Sequence, residues 1–141
     1  MTGTLKVMVK STETIEREHG DTDVISLTLP SAIRFVRLAR IAIASLARRK
    51  GMSVRSIDDL RLVIDETFSV LLGDTDHVGS VDVTFEVDSH ELIVLVAQRF
   101  STGAVAISDE NRMHFEVVTA DLVDRVEIDT TLGIVQFAKQ F

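Results

Sequence analysis

Asp58 to Leu72 reads DDLRLVIDETFSVLL. Leu60, Val63, Ile64, Phe68 and Leu71 recur at the three- and four-residue spacing that gathers side chains on one face of an α-helix. Asp58, Asp59, Arg61, Asp65 and Glu66 fall off that face. The stretch therefore predicts an amphipathic helix packed on a core. Ser56 followed by Asp59 resembles a capping box, with Asp in the place of Glu or Gln. The early carboxylates suit the positive helix end, and Gly73 predicts the stop.

Upstream, residues 23–29 (DVISLTL) alternate between two sides and predict a short strand. Pro30 and Ser31 then predict the start of a long helix reaching Lys50, with Gly51 as its stop. Ile33, Val36, Ile43, Leu46 and Ala47 supply its helical spacing, and Phe35, Leu38, Ala39 and Ala42 widen the apolar face. A face this wide predicts burial on more than one side, as in a dimer. Residues 1–22 read as an N-terminal tail or edge strand, and residues 23–141 as a single domain.

Downstream, Val81, Val83, Phe85 and Val87 alternate with Asp82, Thr84 and Glu86, and Asp88 to His90 predict a turn. Leu92 to Ala97 is nearly unbroken and apolar, as for a central strand. Residues 98–110 read as irregular. A third helix is expected from about Asn111 to Leu122, with Met113, Val117, Val118 and Leu122 inward. Residues 124–129 and 133–139 predict a closing hairpin turned at Thr130 to Gly133. Helices grouped on one face of a mainly antiparallel, mixed sheet make an α+β, two-layer sandwich.

Composition narrows the function. The 141 residues are 45% apolar and 26% charged, which is ordinary for a globular domain. There is no cysteine, which excludes disulfides, thiolate metal sites and cysteine nucleophiles. No apolar run approaches the ~18 residues of a membrane span, and MTGTLKVMVKSTETIEREHG has no signal-peptide core. A soluble, cytoplasmic protein away from membranes is expected. His19, His77, His90 and His114 show no paired ligand spacing, so no metal site is expected. The serines lack a Gly-x-Ser-x-Gly context, so nucleophilic catalysis has no support.

The net charge of −7 is uneven. Residues 31–61 hold eight basic side chains against two acids, a balance of +6; the rest hold seven against twenty, or −13. An acidic chain with one basic patch and no Tyr or Trp is a poor nucleic-acid binder. The same patch can steer an acidic protein partner. Arg34, Arg37 and Arg40 form its ridge.

DDLRLVIDETFSVLL resembles the first ATP-site helix of the GHKL (histidine kinase-like, Bergerat-fold) ATPase superfamily. It is most similar to the bacterial anti-sigma factor/serine-kinase branch. VVTADLVDRVEIDTTLGIVQFAKQF (Val117 to Phe141) resembles that branch's last helix and closing hairpin. The strand ending at Leu29 and Pro30, followed by a long helix, is also similar. The resemblance covers residues 23–141 and implies a serine protein kinase fold using ATP and magnesium.

The implied chemistry needs three boxes, and this sequence departs from each. In the first, a helix carries Glu as base and, one turn on, Asn as magnesium ligand. Here Glu66 remains, but Val70 stands at the Asn position and offers no oxygen donor. In the second, Asp-x-Gly-x-Gly follows the central strand and binds adenine. Here the strand ends in Ala97-Gln98-Arg99-Phe100-Ser101-Thr102-Gly103, without an Asp, and Asp109 lies too far along. In the third, a Gly-rich turn at the last helix cradles phosphate. Asn111-Arg112-Met113-His114-Phe115 has no glycine.

The expected function is thus an anti-sigma factor-like regulator. It would bind a sigma factor, be countered by a STAS-domain anti-anti-sigma factor, and work without ATP as a homodimer. In the resembled branch the first helix contributes to partner binding, which assigns that role here to Arg34, Arg37 and Arg40. One alternative is an active ATP-dependent serine kinase with Glu66 as its base. Another is an unrelated α+β interaction subunit.

Overall fold

The computed structural model describes residues 22–101 and 106–141. The reading of residues 1–22 falls, Thr22 apart, outside the described residues. The elements are β1 (Asp23–Pro30), a 3-10 turn (Ile33–Phe35), α1 (Val36–Arg49), α2 (Val54–Leu72), β2 (Gly79–Val87), β3 (Glu91–Phe100), α3 (Asp109–Thr119), β4 (Arg125–Asp129) and β5 (Ile134–Gln140). The strands form one sheet in the order β1-β2-β3-β5-β4. Every pairing is antiparallel, so the sheet is not mixed.

The alternation in the strands decides which face is covered. Register places Leu29 beside Val81, Phe85 beside Val94, and Val96 beside Val135. These residues share one core cluster with Ile43 of α1, Leu60, Val63, Ile64, Phe68 and Leu71 of α2, and Phe115 of α3. The three helices therefore layer on this face, as the expected sandwich requires. A second, small apolar group on the opposite face, Leu95, Ala97 and Ile134, contains strand residues only. That group explains the unbroken apolar run of β3, whose two faces both bury side chains.

Two helix starts differ from expectation. Pro30 ends β1 instead of opening a helix, because its lack of an N–H is harmless at the end of an edge strand. Ser31 follows it as a buried residue, and the helix proper waits until Val36. In α2 the cap is Ser53, whose Oγ accepts from the Ser56 amide at 3.1 Å. The pattern of Ser56 and Asp59 misled because Ser53 and Ser56 have the same three-residue relation one turn earlier. The stop at Gly73 is as expected.

The third helix also starts earlier, at Asp109, capped by Ser108. Its inward side chains are Phe115 and Thr119, whereas Met113 is 57% and Val117 75% exposed. The core-facing stripe runs through Phe115 and Thr119, four residues apart, and leaves those two outside it. Similarly, β3 runs through Phe100, so residues 98–100 are strand and not irregular.

Both hairpins are held by an aspartate. Asp88 Oδ1 accepts from the amides of His90 and Glu91 at 2.7 and 2.8 Å. Asp129 Oδ1 does the same for Thr131 and Leu132, at 2.9 Å each. Across the far end of the sheet, Arg125 donates to Glu91 at 2.6 Å, and this bond holds the guanidinium pKa above its ordinary value. Lys139 ties sheet to helices: Nζ donates to the Leu122 carbonyl at 2.6 Å and to Asp59 Oδ2 at 3.4 Å. No helix among the described residues is long and apolar enough to cross a membrane.

Candidate functional site

A cleft of about 260 Å³ opens between α2, the segment after it and α3. Glu66, Ser69, Val70, Gly73 and Asp74 line one side, and Asn111, His114 and Phe115 the other. The structure thus brings Glu66 and Val70 together with the stretch compared above to a phosphate-binding turn. That stretch lies within α3, so it is helix and not a turn. Glu66 is half-buried, and its Oε1 lies 3.8 Å from His114 Nε2. Helical spacing predicts that Glu66 and Val70 share a face. The resemblance sets Asn111 to Phe115 at the same site as a turn, but no local pattern in the sequence indicates that Asn111 and His114 stand opposite them on a helix.

These residues do not fit magnesium and ATP. Val70 gives no ligand atom where the metal needs oxygen. Among the described residues no group of three His, Asp or Glu side chains could hold a metal ion. Among the described residues no Lys or Arg lines the cleft. Arg112, on the same helix, is turned to Glu116 at 2.7 Å and Asp109 at 3.8 Å. A helix N-terminus can bind phosphate through its free amides and dipole. At α3 that end carries Asp109 and Glu110, and the Ser108 side chain takes the Asn111 amide at 3.1 Å. The volume also falls below the roughly 300–1,000 Å³ of small-molecule pockets.

The end of β3, where an adenine-binding Asp is absent, is closed by aromatic packing. Phe100 is 9% exposed and belongs to the core. Its ring stacks on His77, with centroids 4.2 Å apart and planes within 10°. His77 Nε2 in turn lies 2.8 Å from the carbonyl oxygen of Leu72, at the end of α2. Arg99 points the other way and pairs with Asp82. Opposite Phe100 in the ladder stands Gly79, with φ of 141°. A Cβ there would collide with the Arg99 carbonyl oxygen and the Phe100 backbone. Only glycine permits this close approach. Phe100 therefore fills space, and Arg99 presents surface.

The arginines of the first helix are not equivalent. Arg34, in the 3-10 turn, donates to Asp76 at 2.9 Å and lies over the Phe35 ring. Arg40 Nε sits 3.3 Å from Asp65 Oδ1 of α2. Arg37 is exposed and makes no ion pair among the described residues. Beside it, Leu38, which belongs to the wide apolar face, and Ile41, which does not, are 48% and 56% exposed, and the core takes up neither. Arg37, Arg40, Ile41 and Arg61 border one shallow depression between α1 and α2.

The fold is a two-layer α+β domain, five antiparallel strands under three helices, with a cleft between α2 and α3. Among curated proteins, the serine-protein kinase RsbW of Oceanobacillus iheyensis is 24% identical over 80 residues, which are 55% of this chain and 51% of that protein. The chain is homologous to RsbW at this low identity and spans about half the length of the relative it matches. Among solved structures, the RsbU and RsbW domains of a Mycobacterium tuberculosis protein superpose with a TM-score of 0.62 at 15% identity. That match covers 84% of this chain and 32% of the other, and it establishes the shared fold. No family model matches the sequence.

Proposed function

We propose that this chain is an anti-sigma factor-like regulator that holds a sigma factor by direct contact, without ATP, and is released by a STAS-domain anti-anti-sigma factor. The homology to RsbW supports the regulatory class. The observation that carries the ATP-independent part is the cleft itself: Val70 in place of a ligand, carboxylates at the α3 N-terminus, and no Lys or Arg among the described lining residues. On this reading Arg37, Leu38 and Ile41 form the centre of the sigma-binding surface. An unpaired cation beside exposed apolar side chains suits an acidic, partly apolar partner. Arg34 and Arg40 flank it while held by Asp76 and Asp65. The assembly is a homodimer, which light scattering would report.

The test is calorimetric titration with ATP and magnesium, followed by capture of sigma factors and STAS proteins on the immobilised chain. No heat with nucleotide, together with retention of a sigma factor, is the expected result. Saturable magnesium-dependent ATP binding, abolished in Glu66→Ala, would install the serine-kinase reading instead. Glu66 favours that second reading, since it faces the cleft as a base would.

A further inference from the structure

We infer that the cleft between α2 and α3 is a socket for a basic side chain, arginine above all, presented by a protein partner. The inference rests on the reading that nucleotide is not the ligand of this cleft. Charge comes first. Glu66 and Asp74 bring two carboxylates to the lining, and no Lys or Arg there balances them. Neither forms an ion pair with Lys or Arg among the described residues; Glu66 has only His114, at 3.8 Å. Asp109 and Glu110 at the start of α3 add to the same field. A phosphate would be repelled by this arrangement, and a cation drawn to it.

Shape and chemistry then select among cations. Ser69 and Asn111 offer a hydroxyl and an amide carbonyl beside the carboxylates. A guanidinium presents five donors in a fixed fork, which matches several oxygen acceptors at once. Val70 and Phe115 supply apolar walls. Such walls suit the methylene stem and planar head of arginine, which bury against apolar surface while the charge stays paired. A hydrated metal ion would find no such use for them. Val70, which removes the ligand atom from the resembled site, is here part of the new one.

Exposed apolar side chains on the two helices that bound the cleft favour a cation carried by a macromolecule. Met113 and Val117 of α3 are 57% and 75% exposed, next to and one turn beyond His114. Leu62 of α2 is 51% exposed, one turn before Glu66. Large exposed apolar side chains on the two helices that form a polar socket are what a protein interface covers around a charged anchor. A free amine would leave them in water.

The test uses the full chain, labelled with nitrogen-15, and two probes: Nα-acetyl-arginine amide and its uncharged isostere Nα-acetyl-citrulline amide. Saturable shifts are expected with the arginine probe at the amides of Glu66, Ser69, Asp74, Asn111 and His114. The citrulline probe should leave them unmoved. Glu66→Gln and Asp74→Asn should each weaken the arginine probe about tenfold, the worth of a lost charge-assisted hydrogen bond. Equal response to both probes, shifts centred elsewhere, or no change in the two variants would overturn the inference. A separate titration with ATP distinguishes the failures. Nucleotide binding at these residues would sink the ATP-independent reading and the inference together. Silence to both ATP and arginine would sink the inference alone.

Discussion

Replacing Phe100 with alanine should cost about 3 kcal/mol of folding stability. The ring is 9% exposed and sits in the main core cluster, so truncation removes its transfer energy and leaves a cavity. Buried Phe→Ala changes cost about 3–5 kcal/mol, and a position at the last residue of a strand belongs at the low end of that range. Unfolding entropy near 2.1 cal/mol/K per residue gives roughly 0.3 kcal/mol per kelvin for 141 residues. The melting temperature should therefore fall by roughly 10 °C, measured by calorimetry or circular dichroism. His77→Ala isolates the stack. Phe100→Ala, His77→Ala and the double variant form a cycle whose coupling should be about 0.5–1.5 kcal/mol, the range for aromatic pairs. A loss under about 1 kcal/mol for Phe100→Ala, or strict additivity with His77→Ala, would refute the claim that Phe100 closes this end of the domain.

Val70→Asn should leave ATP binding absent in a calorimetric titration, because the other two boxes stay unfilled; appearance of magnesium-dependent binding would contradict this. Arg37→Glu should weaken capture of the sigma factor about tenfold or more, the scale of a reversed charge at an interface centre, while Arg48→Glu, at the far end of α1, should change it little. Lys139→Met leaves Asp59, whose side chain is 20% exposed, without its cation; urea denaturation should show a loss of about 1.5–3 kcal/mol. Gly79→Ala should destabilise by about 2 kcal/mol or more, since both the positive φ and the approach of the Phe100 backbone oppose a side chain.

The sequence made the sheet legible because β2 alternates cleanly and β3 is a nearly unbroken apolar run, and the core stripe of α2 legible because five apolar residues hold one spacing. All five are buried. Helix starts were harder to place. Serines at 53 and 56 each satisfy the local rule for a cap, and only tertiary position chooses between them. The inward face of α3 failed for a related reason. Met113, Phe115, Val117 and Val118 form a short apolar run that fits two orientations, and Phe115 wins by filling the space between α2 and the sheet. The site was legible only as far as one helix carried it. Glu66 and Val70 follow from spacing, but Asn111 and His114 reach the cleft through a pairing of α2 with α3 that no local pattern encodes. Likewise, the ion pairs that set Arg37 apart from Arg34 and Arg40 involve Asp76 and Asp65, which are remote in sequence.

The same geometry explains how the fold can stand without the nucleotide boxes. On α2 the core face and the cleft face are different sides of one helix. Leu60, Val63, Ile64, Phe68 and Leu71 turn inward whatever occupies positions 66 and 70. Substitution at the cleft face therefore leaves the packing alone, and an apolar choice can add to it. Val70 is partly buried and packs against the core, where an asparagine would need a polar partner. Phe100 goes further, joining the core and stacking on His77. Two of the departures that remove ligand atoms thus place apolar surface against the core, and burial contributes about 25 cal/mol per Å². A domain of this type that does not hold nucleotide has no need to keep a polar, hydrated cleft open. On the proposed reading, packing and the absence of ATP chemistry follow from the same side chains, and the described lining of the cleft is left with two carboxylates, several acceptors and no Lys or Arg.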